Sequence, residues 1–443
     1  MPVKNYSPIH MSNNRLITLS KSYFLLILLM TLSLNVSGQE DQAVSADTGI
    51  VQIDVGDLIR KALHKPPKDK SSSSGSLLLV PIIGSNPATG FMFGVGGQYA
   101  LKMPGSSLYS TFIGSTQFTT KNQVILLLKN NIYTKGNRFY LTGDWRYLIY
   151  SQATYGLGTT APEGGILDYQ FSLYGAETSE DSLQQPMKFN FARFHQSVSY
   201  RIAKGLYLGI GYAYDGYSKI VDERLRLEPG DTFLTSHYYY STLYDFSTAS
   251  YFSSAINANL SYDTRDNMIN PYKGIYALAS WRGGYRFIGN DRSVNFFQLE
   301  WRSFHSLSQS NPRHMIAFWG LGSFVAAGRY PYLILPATAY DQRSRSGRGY
   351  TQGRFRGPNM IYGEAEYRFP ISKPGGVLGG VLFVNGTTAD NPAIDLKLFE
   401  SIKAGYGAGL RIMVDKRSRT NLAVDFGFGQ NSFGFYLAAS ETF

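Results

Sequence analysis

A chain of 443 residues with only 16% charged side chains but 15% aromatics, among them 33 Tyr and 28 Phe, is poor in charge for a soluble protein; such proteins average about 25%. Its formal charge is +11, yet no basic helix is clustered enough to point to nucleic acid. Cysteine is absent, which excludes disulfides and thiolate metal sites. A chain rich in Tyr, Phe and Gly that is still slightly polar on average (mean hydropathy −0.17) suits a membrane β-barrel, in which apolar and polar residues alternate.

The first element is an apolar run from Tyr23 to Leu34, preceded by Arg15 and Lys21 and followed by Val36-Ser37-Gly38. Basic residues, a short apolar core and small residues in this order read as a secretory signal peptide over 1–38. A membrane anchor is the alternative, but the run falls short of the roughly 20 residues a spanning helix needs. Lys4, Arg15 and Lys21 account for three of the positive charges. Residues 39–75 read as a polar periplasmic linker. Val55 to His64 has the spacing of one short amphipathic helix, Pro66-Pro67 would stop it, and Ser71 to Ser74 reads as a hinge.

From Ser76 onward the sequence has period two. Strands are expected near 76–83, 89–101, 108–119, 122–134, 138–152, 187–201, 205–219, 250–263, 274–287, 293–306, 313–326, 359–371, 377–387, 401–414, 420–429 and 433–443. Sixteen is an even number, as single-chain bacterial barrels require. Ile402, Ala404, Tyr406, Ala408, Leu410 and Ile412 fall on one face, against Lys403, Gly405, Gly407, Gly409 and Arg411. Leu422, Val424, Phe426 and Phe428 likewise oppose Asn421, Ala423, Asp425 and Gly427. A soluble sandwich alternates too, with the apolar set inward; the leader and the aromatic load favour lipid outside. Tight connections at 103–105, 135–136 and 203–204 alternate with longer ones near 153–186, 220–249 and 326–358, which places the short turns in the periplasm. The Tyr-rich 220–249 loop is either an interfacial aromatic patch or a structured cap.

The loop from Ala326 to Pro358 carries six arginines and five glycines against one acid, Asp341. Loops this long without periodicity are uncommon and usually functional or disordered. These arginines are either solvated outside or paired with acids inside a cavity. The next strand puts Tyr362, Glu364, Glu366 and Arg368 on one face, which invites a bidentate guanidinium–carboxylate pair. Asp263-Thr264-Arg265-Asp266, with Pro271 and Gly274 behind it, reads as a charged periplasmic turn rather than a catalytic carboxylate pair. The six histidines are scattered without metal-ligand spacing. A hydrolase triad would have only His195, His305 and His314 as strand-borne histidines to draw on, so no enzyme, cofactor or metal is expected.

The order of these features resembles the bacterial surface antigen barrel of the BamA/TamA outer-membrane assembly superfamily, over about residues 76–443. It runs from Asp263-Thr264-Arg265-Asp266, with Pro271 and Gly274, through three strands to a long loop bearing Arg348-Gly349-Tyr350. Five strands and a terminal Phe443 follow. The resemblance implies an all-β, 16-stranded antiparallel transmembrane β-barrel whose sixth outer loop folds into the lumen. There Arg348 would pair with Glu366, helped by Glu364. Asn385 stands where the family has an aspartate, able to accept a hydrogen bond but without charge. The 37 residues of the linker are too few for the periplasmic POTRA domains of larger members.

The resemblance also implies a role in inserting or translocating envelope proteins or lipids at the outer membrane. Its partners would be outer-membrane lipids and lipopolysaccharide, client envelope proteins, and a separate periplasmic partner in place of the missing domains. A passive or anion-selective pore is the alternative.

Overall fold

The computed structural model describes residues 52–66, 75–86, 90–106, 108–161 and 185–443. The leader, the Ser71–Ser74 hinge and most of the 153–186 loop lie outside them. Sixteen strands follow in order: β1 Ser76–Asn86, β2 Gly90–Lys102, β3 Tyr109–Thr119, β4 Val124–Tyr133, β5 Phe139–Thr154, β6 Gln185–Ala203, β7 Leu206–Asp222 and β8 Tyr251–Asp263. The second half is β9 Gly274–Gly284, β10 Val294–Ser306, β11 Met315–Ala327, β12 Asn359–Pro370, β13 Leu378–Ala389, β14 Lys403–Asp415, β15 Thr420–Gly429 and β16 Ser432–Ala438. Each pairs with its chain neighbour in one 16-stranded antiparallel sheet.

The polarity of this sheet is that of a membrane barrel. On β14 and β15 the apolar set faces out, with Tyr406 62% and Phe426 43% exposed, while Arg411 and Asp425 are buried. Ile210 on β7 is 74% exposed. Leaving one such side chain in water forgoes about 1.5–3 kcal/mol, and this pattern recurs around the sheet; lipid removes the penalty. The sandwich alternative fails on this point.

The sheet's ends come together through side chains. Gln98 Nε2 on β2 donates to Thr420 Oγ1 on β15 at 3.2 Å, and Ser76 hydrogen-bonds Asp415. β1 and β16 themselves share no backbone ladder.

One rim carries the short turns and helix α1 (Val55–Ala62), where Asp54 and Asp57 exchange backbone-to-side-chain bonds in a capping box. The other rim carries the long loops. The 220–249 segment is a structured cap, with a small hairpin and helix α2 (Ser236–Leu243). Its Tyr240 packs edge-on to Tyr332 of the long loop at 5.7 Å.

Two segments turn inward. In the charged turn at Asp263, the residues Asp263, Arg265, Asn267 and Asn270 are buried. Asp263, Arg265 and Asp266 each have a partner. Arg265 pairs with Asp263 at 2.8 Å, and Tyr133 on β4 donates to Asp263 at 2.7 Å. Asp266 meets Arg419, from the turn after β14, at 2.6 Å. Pro271 is buried too. Gly274 has φ +105°, and a Cβ there would lie 2.3 Å from the Thr264 carbonyl oxygen. The turn thus crosses the short-turn mouth of the barrel.

The last strand is shorter than expected, ending at Ala438 rather than running to Phe443. Its register sets Ala438 opposite Ala423, so an extended tail would overrun the start of β15 at Thr420. The tail turns inward instead. Phe443 is buried beside Trp319 at 5.5 Å and Phe304 at 6.1 Å. Glu441 accepts from Arg411 Nε at 2.6 Å and Asn421 Nδ2 at 2.7 Å.

Replacing Phe443 with Ala should destabilise the barrel by about 3 kcal/mol, measured by urea titration of the heat-modifiable gel shift. Burial pushes the Glu441 carboxyl up, but Arg411 and Arg368 outweigh it and hold it at about 2, below its ordinary 4.5. Its contribution to tail docking is therefore complete above pH 4.5 and disappears as pH falls towards 2. Fluorescence of Trp319, isolated by replacing the other tryptophans with Phe, should show that transition, and Glu441→Gln should remove it.

Candidate functional site: the lumenal arginine clamp

The loop between β11 and β12 enters the lumen as an internally bonded hairpin. Thr338 N–H donates to the Phe355 carbonyl at 2.9 Å, and Gly353 N–H to the Thr338 carbonyl at 2.9 Å. Asp341 organises the tip by accepting from the backbone N–H groups of Arg343, Arg345 and Ser346 at 2.7, 3.1 and 2.9 Å. Its six arginines then divide by role. Arg356 donates to the carbonyls of Tyr332, Leu333 and Leu335 at 3.0–3.2 Å, Arg329 lies over the Tyr244 ring at 4.1 Å, and Arg354 Nη2 reaches the Ala161 carbonyl at 3.3 Å. Arg343 and Arg345 point to carbonyls of the C-terminal segment at 3.5 and 3.4 Å.

Arg348 meets carboxylates. Its Nε and Nη2 donate to the two oxygens of Glu364 at 3.1 and 2.6 Å, a bidentate pair. Nη2 also reaches Glu366, and Nη1 donates to Asp425 on β15 at 2.8 Å. The guanidinium stacks on Phe383 of β13, 3.6 Å from the ring centroid. Its side chain is fully buried. The acids are themselves shared: Glu366 with Arg368 at 2.6 Å, and Asp425 with Arg411.

The expected partner order shifts accordingly. Glu364 takes the bidentate share, and Glu366 divides itself between two arginines. Asn385 does not accept from the guanidinium; its Nδ2 donates to the Arg348 backbone carbonyl at 2.9 Å. Asp425 was missed. It is the one acid on the inward face of β15, and that isolation among small and amide residues was the available signal.

The next two residues of the motif bind the wall by backbone and hydroxyl. Gly349 N–H donates to Tyr436 on β16 at 2.9 Å. The Tyr350 hydroxyl donates to the Ala404 carbonyl on β14 at 2.7 Å and accepts from Gln430 N–H at 3.0 Å. Gly349 has φ +102°, and a Cβ there would sit 2.6 Å from the Phe428 carbonyl oxygen. Only glycine fits.

The opposite wall holds the same loop with the roles reversed. Arg146 on β5, paired with Asp144 at 2.6 Å, donates to the Asp341 carbonyl at 3.0 Å. Arg193 on β6, paired with Asp215 at 2.6 Å, donates to the Tyr340 carbonyl at 3.2 Å. His195 shares Asp215 at 2.8 Å, so its imidazole belongs to this support. A cavity of about 140 Å³ remains beside this wall, lined by Arg193, His195, Asn257 and Arg282.

Removing Arg348 takes the arginine from buried Glu364 and leaves Glu366 and Asp425 with only Arg368 and Arg411, and breaking such a buried pair costs about 3–5 kcal/mol. Arg348→Ala should lower barrel stability by that amount and expose Arg343 and Arg345 to trypsin on intact cells. Arg348→Lys should recover only part, having lost the planar fork. Asn385→Ala, which removes a neutral bond, should cost about 1 kcal/mol in the same urea titration.

Among solved structures the chain is similar to BamA from Haemophilus ducreyi lacking POTRA domains 1-3, at 14% identity over 83% of this chain and 68% of that one, with TM-score 0.48. It is similar also to CdiB from Acinetobacter baumannii (12% identity, TM-score 0.46) and CdiB from Escherichia coli (9%, 0.47). These matches cover 83% and 85% of this chain and 60% and 62% of theirs. No curated protein matches by sequence. The Omp85 superfamily domain matches residues 151–443, more than half of the chain. That span holds β6 to β16 and the whole clamp: the chain belongs to the Omp85 superfamily and is an outer-membrane β-barrel protein.

Proposed function

We propose that this barrel helps to insert or translocate envelope proteins or lipids, working at the seam between β1 and β16 rather than through its axis. One observation carries this reading: the axis is obstructed, whereas the seam has no backbone ladder. The arginine loop crosses the lumen from β5 and β6 to β12–β16, and the Asp263 turn crosses it again at the short-turn mouth. The seam joins an eleven-residue β1 to a seven-residue β16 without pairing. Unpaired edge strands are templates for another strand, and β-augmentation is a general way to bind an extended chain. Pro81 lacks an N–H, which limits what β1 can donate to any partner. The role inferred is transport, with client envelope proteins and outer-membrane lipids as partners and no catalytic step.

An open anion-selective pore fits less well, because the loop arginines described above are committed to carboxylates, carbonyls or rings. The chain has no cysteine of its own, so engineered pairs between the Leu77–Val80 region and Gly434–Ala438 would form the only disulfides. Locking the seam should abolish rescue of a deletion strain, and reduction should restore it. Full rescue by the locked barrel would overturn the seam reading. In planar bilayers the protein should show rare, flickering openings; a large, steady anion-selective current would favour the pore.

A further inference from the structure

α1 is fixed to the barrel by its polar side. Lys416, in the turn after β14, pairs with Asp57 at 2.8 Å, and its backbone N–H donates to Asp54 at 3.3 Å. Just upstream, Ile53 N–H donates to the Gly375 carbonyl in the turn after β12 at 2.8 Å. Gln52 Nε2 reaches the Gly375 and Gly376 carbonyls at 3.1 Å. With 100° between successive residues, Val55, Leu58, Ile59, Ala62 and Leu63 gather on the side opposite Asp57. A helix docked on a water-soluble surface hides that apolar side. Here no helix residue is buried, and Leu58, Ile59 and the C-cap Leu63 are 41%, 54% and 58% exposed.

Two further observations say what covers this face. The anchoring turns end β12 and β14 and lead into β13 and β15. The outward residues Leu378, Leu382 and Leu410 of β13 and β14 are 40%, 51% and 49% exposed and belong to the lipid-facing surface. The helix therefore lies at the border of an apolar surface already immersed in the bilayer. Its polar flank carries Arg60 and Lys61, with Lys65 just beyond, while its one acid, Asp57, is occupied by Lys416. An apolar face bordered by basic residues suits the interface of an anionic membrane.

We propose that α1 is an interfacial anchor. It inserts Leu58, Ile59 and Leu63 into the periplasm-facing leaflet and sets Arg60, Lys61 and Lys65 against anionic phospholipid headgroups. It would thereby tie the turns that end β12 and β14, on the wall that holds the clamp, to the membrane surface. This inference needs only the outer-membrane barrel and stands or falls apart from the seam.

The test uses the full chain in vesicles of phosphatidylethanolamine and phosphatidylglycerol, compared with phosphatidylcholine alone. Because the protein lacks cysteine, Ile59→Cys and Lys61→Cys each carry a single polarity-sensitive fluorophore. Leu63→Cys, beyond the last helical residue, is the substitute should Ile59→Cys fail to fold. Expected are a blue-shifted emission at Ile59, several-fold stronger quenching there by bromine-labelled acyl chains than at Lys61, and a smaller effect in phosphatidylcholine. Equal quenching of both probes by aqueous iodide would overturn the proposal. So would shielding at Ile59 that grows with the protein-to-lipid ratio, which would mean a second copy covers the face. Insertion of equal strength in phosphatidylcholine would overturn the anionic-headgroup assignment.

Discussion

Everything near the long loop depends on one buried cation. Moving a guanidinium out of water is expensive, and only dense pairing with further hydrogen bonds offsets it. Arg348 meets that condition with three carboxylates and an aromatic face. The reverse dependence is as strong: Glu364, Glu366 and Asp425 converge on one point of the wall, and without Arg348 Glu364 would lose its arginine while Glu366 and Asp425 would keep only Arg368 and Arg411. The loop is thus an electrostatic part of the barrel wall. The other features follow from this, including the glycine at 349 that lets backbone touch backbone and the tyrosines of β16 and the loop that fix the tip on either side.

The two walls hold the loop by complementary means. β12 and β15 offer acids to a side chain of the loop, while β5 and β6 offer arginines to its carbonyls. The second arrangement is insensitive to what the loop side chains are, whereas the first requires one arginine at one position. That asymmetry explains how a loop with six arginines can depend on only one for its register. It also places the rigid part of the barrel: the loop's bonds run to β5, β6, β8 and β12–β16. β1 is joined to the far side of the seam through Ser76, and β2 through Gln98. Few and polar, these are bonds that a modest strain could break.

Much of the fold was legible because alternation is local: a strand exposes its two faces to any reader of ten residues, and turn chemistry marks its ends. The number of strands, the faces of β12, β14 and β15, and the short helix at Val55 all lie on that level. The inward folding of the Asp263 turn and of the C-terminal tail does not, since both leave the lattice of the sheet and are placed by contacts across the lumen. Arg419 captures Asp266 from 153 residues away, and Arg348 captures Asp425 from 77. A single sequence holds no trace of such distances beyond an isolated charge on an inward face. The tail misled for a related reason. Its aromatic end continues the strand pattern, and only the register with β15 shows that the ladder has run out.

The amide at 385 shows why composition at a site is a poor guide to its chemistry. An aspartate there, as the resemblance suggested, would be a further ligand for the arginine side chain. In this lumen position 385 faces the Arg348 carbonyl oxygen, and a carboxylate would meet that oxygen with repulsion. An amide donates to it. The charge that an aspartate on β13 would have supplied comes instead from Asp425 on β15, whose oxygens are held in place by Arg411, which also binds Glu441 of the inturned tail. The substitution at 385, the acid on β15 and the tail are therefore linked through one network. Where Arg348 points is decided jointly by β12, β15 and the C-terminus, and the C-terminal segment is tied to the clamp at two points: by Tyr436 on β16, and by Glu441 after the tail turns in.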